Sequence, residues 1–297
     1  GWATVRDKLV HGELDGAHAL CTLPVMLALG LGCVRTEVLT GLILNLHGNA
    51  ITLSNELWNS GLRDASSLRA FLAANRGRRA FTFASVSACS THTHLLRTWF
   101  QRAGAELDRD VRLIVVPPPQ LVANLAAGHL DGFCVGEPWN SHAVAEGLAW
   151  VVATSAELAP YHPEKVLVVR GEFDAARHDE HVRLLAALRE ACALCDVPER
   201  RSDICELLSR PGYLNLPVEV IRRGFAGRFE CGHGQSAPSD ELLVFHRDDA
   251  NVPSSDKVGW IARHLFAGVQ PKPPTFAQLT QIFRADLHAE AREVFSA

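Results

Sequence analysis

Residues 8–16, KLVHGELDG, and residues 123–132, ANLAAGHLDG, decide the fold of this chain, because they are two copies of one pattern. Each copy has the spacing of an amphipathic helix that ends at a glycine and is followed by a short strand entering a loop. A proline follows each copy, at Pro24 and Pro138. The repeat predicts an α/β chain with two similar lobes, whose loops face each other around a cleft for a small ligand.

The second lobe is expected to begin at the strand pattern AFTFASVS, and EKVLVVRGEF is expected to be the strand that crosses back. We therefore expect lobe 1 to consist of residues 1–79 and 168–297 and lobe 2 of residues 80–167. The chain after His178 has helical spacing and is expected to pack on lobe 1. The helices predicted there span residues 179–195, 202–209, 217–224 and 275–295.

The two copies differ in what precedes them. The second copy follows a predicted strand, helix and strand over about residues 80–116, including the apolar run RLIVVP, which indicates a buried strand. The first copy lies almost at Gly1. By comparison of the repeats, we expect an N-terminal β-α-β segment of roughly 35–40 residues to be missing.

Composition excludes several classes of protein. With a hydrophobic content of 47% and a charged content of 21%, the chain can bury two cores. A net charge of -4 argues against direct nucleic-acid binding, and no apolar run reaches the ~20 residues that span a membrane. The eight cysteines lack the spacing of a disulfide framework, and no signal peptide is visible. Free thiols favour a cytoplasmic location, with a periplasmic one as the alternative.

His92 is the strongest single candidate for a ligand contact. In STHTHLLRTW it falls in the first turn of a predicted helix that follows a strand. Unpaired backbone N–H groups and the positive end of the helix dipole attract anions at such a position. The Thr91 hydroxyl can add a donor, and imidazole adds another. A helix-capping histidine in a solvated loop is the alternative interpretation.

Lys165 is the second candidate, because it stands at the start of an apolar strand in YHPEKVLVV. A lysine there marks a solvent boundary or places a compact positive charge over a cleft. The loop from Cys134 to Asn140 is expected to face the same cleft. It contains Glu137, a carboxylate that beside an anion would need a cation such as Lys165 as its partner.

Other groups of cysteine, histidine and arginine residues are weaker candidates for a functional site. Cys192 and Cys195 form C-x-x-C inside an apolar helical pattern, where cysteine acts as a small hydrophobe, and no second pair at zinc spacing exists. Cys231 and His233 could form half a metal site or a thiol–base pair. Arginine-rich runs such as RGRR at 76–79 indicate solvated surface. We predict neither a metal nor another cofactor.

The segments LDGAHAL, LNLHGNAITLSNELW, STHTHLLRTWF, GFCVGEPWN and HPEKVLVV occur in the order found in the nitrate-binding proteins of the NrtA/NasS group, and the chain resembles that group. The resemblance implies a type II periplasmic-binding-protein fold. It also implies that His92 and Lys165 contact the anion and that Gly48 and Asn49 form a neighbouring turn. Transporter members of the group carry a tryptophan after the first D-G motif, whereas this chain has AHALC, so the resemblance is closer to the NasS branch.

The resemblance implies a function that is not enzymatic. We expect a nitrate or nitrite sensor in which Lys165 and His92 supply charge, and Asn49 and backbone N–H groups supply directed hydrogen bonds. Closure on the anion would release a NasT-type RNA-binding antitermination regulator. The alternative is the substrate-binding component of an ABC-type nitrate or bicarbonate import system. Further competitors are an enzyme with Cys134 as nucleophile, metal-assisted bicarbonate binding, and uptake of a sulfonate or pyrimidine precursor.

Overall fold

A computed structural model describes residues 1–225, 228–265 and 274–294. These residues form two compact units, each built from separate stretches of chain. The first unit contains Gly1–Leu46, Tyr161–Arg200 and the described residues from Val244 onward; the second contains His47–Pro160 and Arg201–Leu243.

Strands and helices alternate through most of the chain. In the described residues the strands are β1 Gly16–Leu20, β2 Val38–His47, β3 Asn49–Ser54, β4 Thr82–Ser85, β5 Arg112–Val115, β6 Gly132–Gly136, β7 Ala149–Thr154, β8 Pro163–Arg170, β9 Arg228–Gly232, β10 Gln235–Pro238 and β11 Leu243–Val244. The α-helices are α1 Trp2–Val10, α2 Leu23–Leu29, α3 Asn55–Asn59, α4 Ala65–Asn75, α5 Thr91–Arg102, α6 Leu107–Asp110, α7 Pro118–Ala126, α8 Trp139–Ala145, α9 Ser155–Leu158, α10 Gly171–Ala176, α11 His178–Asp196, α12 Arg201–Ser209, α13 Val218–Arg223, α14 Ser255–Leu265, α15 Phe276–Ile282 and α16 Ala285–Glu293.

The two copies of the repeated pattern have the same local structure, as predicted. Helix α1 and helix α7 are each followed by a glycine, Gly12 and Gly128, with φ of 71°. This left-handed conformation lets the next amide turn back onto the helix: Glu13 N–H donates to the Lys8 carbonyl at 2.9 Å, and the matching bond from His129 is 3.0 Å. The chain then enters β1 in the first unit and β6 in the second.

Strand β8 is central in the sheet of the first unit, whose strand order is β1-β8-β2-β11. It pairs antiparallel with both β1 and β2. Because side chains alternate along a strand, Leu167 and Val169 pack with α11 and α16. Val166 packs in a cluster that includes α14 and α15, and Val168 packs in a separate cluster with α1 and α2. Burial on both faces explains why β8 is a continuous apolar run.

The sheet of the second unit has the order β5-β4-β6-β3-β7. Strand β4 is parallel to β5 and β6, and β3 is antiparallel to β6 and β7. The expectation that β5 is buried is wrong: it is an edge strand, and 58% of Val115 is exposed. An apolar run marks a strand, but it does not determine which position in the sheet the strand occupies.

The units are divided differently from the expected lobes. Residues 47–79 were expected in lobe 1, yet β3 pairs with β6 and β7 inside the second unit. Residues 201–243 also belong to the second unit, because α13 packs on α8 and β9 packs on β7. Sheet pairing between distant segments decides this division, and local sequence patterns do not encode it.

The helix expected over residues 275–295 is two helices, α15 and α16, and residue 295 lies outside the described residues. The break falls at Phe283, whose side chain is buried and whose backbone forms a parallel bridge with Thr40. Arg284 N–H donates to the Thr40 carbonyl at 2.9 Å. The chain leaves the helical conformation there because the strand edge supplies partners for its backbone.

Candidate functional site

The amino end of α5 is a buried cluster of polar side chains. Ser90 caps the helix: its hydroxyl oxygen accepts from Thr93 N–H at 3.3 Å and donates to the Ser87 carbonyl at 2.6 Å. Thr93 Oγ1 lies 2.8 Å from Ser85 Oγ, at the end of β4. Thr91 and His92 are buried within this framework, with 2% of each exposed. His92 is therefore held in the first turn of a 12-residue helix, as predicted, and Ser90 is the cap of that helix.

A tight turn at Gly48 places Asn49 against the end of β6. Gly48 has φ of 88°, which a glycine adopts without strain, and its carbonyl accepts from Glu137 N–H at 2.8 Å. Asn49 is fully buried, and its N–H donates to Ser155 Oγ at 3.1 Å. A Cβ at Gly136 would lie 3.3 Å from Asn49 Oδ1, so glycine makes room for this amide.

Sheet topology places these candidates of the second unit at one edge. Strands β4 and β6 run parallel, so the chain leaves both at the same edge, toward His92 and Glu137 respectively. Antiparallel β3 begins at that edge, with Asn49 opposite Gly136. The carboxyl ends of parallel strands are where ligands bind in α/β proteins. Cys134, in contrast, lies inside β6, opposite Ile51, and is fully buried.

Lys165 stands near the start of β8, opposite Leu20 of β1 and Asn45 of β2. Its Nζ is 2.6 Å from Glu164 Oε1 and 5.7 Å from the centre of the Trp2 ring. An ammonium over an indole face is a favourable cation–π arrangement. Because an ammonium has three N–H donors, the bond to Glu164 leaves donors for a further partner.

Three neighbours of Lys165 were not predicted from the sequence. The indole of Trp2 packs edge-on to the His18 ring at 5.7 Å, and the Lys165 ammonium lies over the Trp2 ring. Loss of solvation and then the Lys165 charge lower the pKa of His18 to about 4, although His18 is exposed as a residue. The third neighbour is the fully buried Glu164, which precedes the lysine in H-P-E-K and could have been found there. Trp2 supplies an indole from α1, although the D-G motif lacks the tryptophan of transporter members.

Glu137 follows β6 in the second unit. The carboxylate that contacts Lys165 in the first unit is Glu164, its neighbour in the chain. Glu137 Oε2 accepts from Ser141 N–H at 3.4 Å, while its Oε1 is inaccessible to solvent and has no partner among the described residues. Burial raises the pKa of Glu137 to about 7, and bonds from Ser141 and Asn140 offset part of this effect. The raised pKa favours the neutral form of Glu137 relative to that of an exposed glutamate.

The cysteines have the properties of packed thiols. All eight are free. Burial raises the pKa of Cys192 to about 12 and that of Cys195 to about 11, and Cys192 Sγ lies 3.4 Å from the Leu44 carbonyl. Cys231 is buried as well, with its pKa raised to about 11, whereas His233 stacks on Trp58 at 3.9 Å. In the described part of the chain, no group of three or more His, Cys, Asp or Glu side chains is placed to hold a metal ion.

Comparison with known proteins identifies the family. The model of the NMT1-like family matches residues 1–209, which is more than half of the chain. The chain belongs to the NMT1-like family. Its structure superposes on the crystal structure of the periplasmic nitrate-binding protein NrtA from Synechocystis with a TM-score of 0.92 and 29% identity, covering 99% of this chain and 79% of NrtA. This match confirms the predicted α/β fold of the periplasmic-binding-protein type.

Two curated relatives of this NMT1-like chain are longer proteins. It is 35% identical to the nitrate import ATP-binding protein NrtC of Synechocystis over 98% of its length, and 38% identical to the bicarbonate transport ATP-binding protein CmpC over 89%. The chain spans 44% of NrtC and 39% of CmpC. The similarity to NrtA, a binding protein, confirms the expectation of a binding protein and not an enzyme. None of the described helices is both long and apolar enough to cross a membrane.

Proposed function

We propose that this chain binds nitrate or nitrite as the anion-binding part of an import system. The candidate contact in the first unit is Lys165, and the candidates in the second unit are His92, Thr91, Gly48 and Asn49. The observation that carries the proposal is the Lys165 ammonium, held between Glu164 and the Trp2 indole with N–H donors to spare. The similarity to NrtA supports the same ligand class.

Donor chemistry favours nitrate and nitrite over bicarbonate. Nitrate and nitrite offer only acceptor oxygens, and the proposed contacts include many donors: an ammonium, an imidazole, a hydroxyl and backbone N–H groups. Bicarbonate carries an O–H that needs an acceptor as well. The similarity to CmpC supports bicarbonate as the second candidate. The Glu164 carboxylate is a possible acceptor for its O–H, but the short bond to Lys165 already engages that group.

Isothermal titration of this chain with nitrate, nitrite and bicarbonate, each with and without calcium, tests the proposal. We expect nitrate or nitrite to bind without calcium. Lys165→Ala removes a hydrogen bond to a charged group, so binding should weaken by more than ~1.5 kcal/mol, or over tenfold. Lys8→Ala, which removes an exposed ammonium from α1, is the matched control and should bind like the parent. Equal affinity of the Lys165→Ala and parent chains would exclude Lys165 from the site.

The relatives support the import role over the expected sensor role. NrtC is named for nitrate import and CmpC for bicarbonate transport, and the NasT-type partner has no counterpart in these names. NrtA is a periplasmic protein, and the similarity to it supports the periplasmic alternative. Two measurements separate the roles: fractionation of the native cell, and capture of a NasT-type regulator with and without nitrate. If the chain captures the regulator and nitrate abolishes this capture, the sensor interpretation replaces the import role.

A further inference from the structure

A cavity of about 600 Å³ lies in the second unit, away from the proposed anion contacts. It is bounded by the second half of α4, the segment that leads into β4, and the turns between α5 and β5. Strand β4 therefore separates it from His92: the cavity is at the amino end of the strand, and His92 follows the carboxyl end. The residues lining the cavity are Arg69, Leu72, Ala73, Arg76, Gly77, Arg79, Phe81, Gly104, Ala105, Arg109 and Asp110.

Two of the four arginines in the lining are held by carboxylates. Arg79 Nη2 is 2.5 Å from Asp131 Oδ1, Arg79 also pairs with Glu56, and its guanidinium lies over the Phe81 ring. Arg109 donates to Asp110 at 2.9 Å and 3.0 Å. These pairs fix the two guanidinium groups and neutralise the nearby carboxylates.

The other two guanidinium groups remain available to a ligand. Among the described residues, Arg69 forms no ion pair; its side chain lies along Gly104, where a Cβ would be 3.4 Å from Arg69 Cδ. The Arg76 side chain is 80% exposed, and its Nη2 is 3.9 Å from Asp110 Oδ1, beyond hydrogen-bond distance. Asp110 is the acidic residue of the lining, and it is already engaged by Arg109 and by Glu106 N–H.

We propose that this cavity binds a phosphorylated small molecule of nucleotide size. A planar guanidinium donates two parallel hydrogen bonds to phosphate oxygens, and Arg69 and Arg76 offer two such groups. The volume falls within the ~300–1,000 Å³ of small-molecule sites. Leu72, Ala73 and the edge of Phe81 provide an apolar wall for an organic group. The run RGRR, whose sequence indicates solvated surface, thus contributes Arg76, Gly77 and Arg79 to the lining of the proposed site.

Titration of the full chain with ADP, pyrophosphate and citrate at low and high salt tests the proposal. We expect ADP or pyrophosphate to bind with a Kd below about 1 mM at low salt and more weakly at high salt. The double variant Arg69→Ala/Arg76→Ala should weaken this binding at least tenfold, because each lost bond to a charged group contributes about that factor. Arg69→Lys/Arg76→Lys keeps both charges but loses the planar guanidinium groups. Its affinity for ADP or pyrophosphate should therefore lie between that of the parent and that of the double alanine variant.

The matched control is Arg183→Ala/Arg210→Ala, which removes two exposed arginines elsewhere and should bind ADP like the parent. Circular dichroism and nitrate affinity check the fold of every variant, and the phosphate site does not depend on the nitrate proposal. Binding that is unchanged by loss of Arg69 and Arg76 overturns the site. Failure of both phosphate probes to bind, or citrate binding tighter than either of them with the same arginine dependence, overturns the phosphate assignment.

Discussion

Replacing Glu137 by glutamine should change how the stability of the chain depends on pH. Burial raises the pKa of Glu137 from 4.5 to about 7. The folded chain therefore holds a proton between these values that the unfolded chain releases. The stability associated with this proton is fully present below pH 4.5 and is lost as the pH rises through 7. Glutamine has the same shape and no charge to bury, so Glu137→Gln should not show this loss.

The size of the effect follows from the two pKa values. A tenfold change in a proton equilibrium corresponds to about 1.4 kcal/mol, so the full loss is ~3 kcal/mol as an upper limit. Between pH 5 and pH 8, the unfolding free energy of Glu137→Gln relative to the parent should rise by about 2–3 kcal/mol. The parent profile alone does not isolate Glu137, because burial also raises the pKa of Asp131 and lowers that of His288 to about 4. Subtracting the parent's unfolding free energy from the variant's at each pH removes the contributions of Asp131 and His288.

Urea unfolding at pH 5, 6, 7 and 8 measures this difference. Glu190→Gln, which neutralises an exposed carboxylate on α11, is the control and should show a difference that is nearly constant with pH. A Glu137→Gln difference that varies by less than about 0.5 kcal/mol across the range would refute the claim that burial governs this carboxyl.

Two further outcomes follow from local contacts. Asp64 Oδ1 caps α4 by accepting from Ser67 N–H at 2.8 Å, so Asp64→Ala should lower the unfolding free energy by about 1 kcal/mol, and a urea midpoint equal to the parent's would contradict the cap. Because burial raises the pKa of Cys192 and Cys231, both should react with a disulfide reagent at pH 8 at least ~100-fold more slowly in the native chain than in urea. Peptide mapping identifies the labelled thiols, and rapid native labelling at either position would contradict burial.

The features that were predictable from the sequence are those whose cause is local. A glycine that ends a helix and an L-D-G strand start are set by a few neighbouring residues, so Gly12 and Gly128 identified both copies of the repeat. The position of His92 at the start of α5 was predictable for the same reason, since hydroxyl residues near a helix start satisfy its free N–H groups.

The features that were missed depend on long-range pairing. The placement of Trp2 beside Lys165 requires the antiparallel register of β1 and β8, in which Leu20 faces Lys165. The division into units depends on β3 pairing with β6 and β7, although an apolar strand of this kind could pair with other strands. The neutral form of Glu137 depends on burial by groups distant in sequence, including the segment around Gly224.

The central position of β8 has a consequence for synthesis of the chain on the ribosome. Strands β1 and β2 both pair with β8, and β2 pairs otherwise with β11, so neither has a sheet neighbour until Pro163–Arg170 emerges. Until then the growing polypeptide exposes VLTGLILNLH, a ten-residue segment that is almost wholly buried in the finished protein. Unpaired apolar strands of this kind invite aggregation, so nascent chains that end between β3 and β8 should be clients of a chaperone.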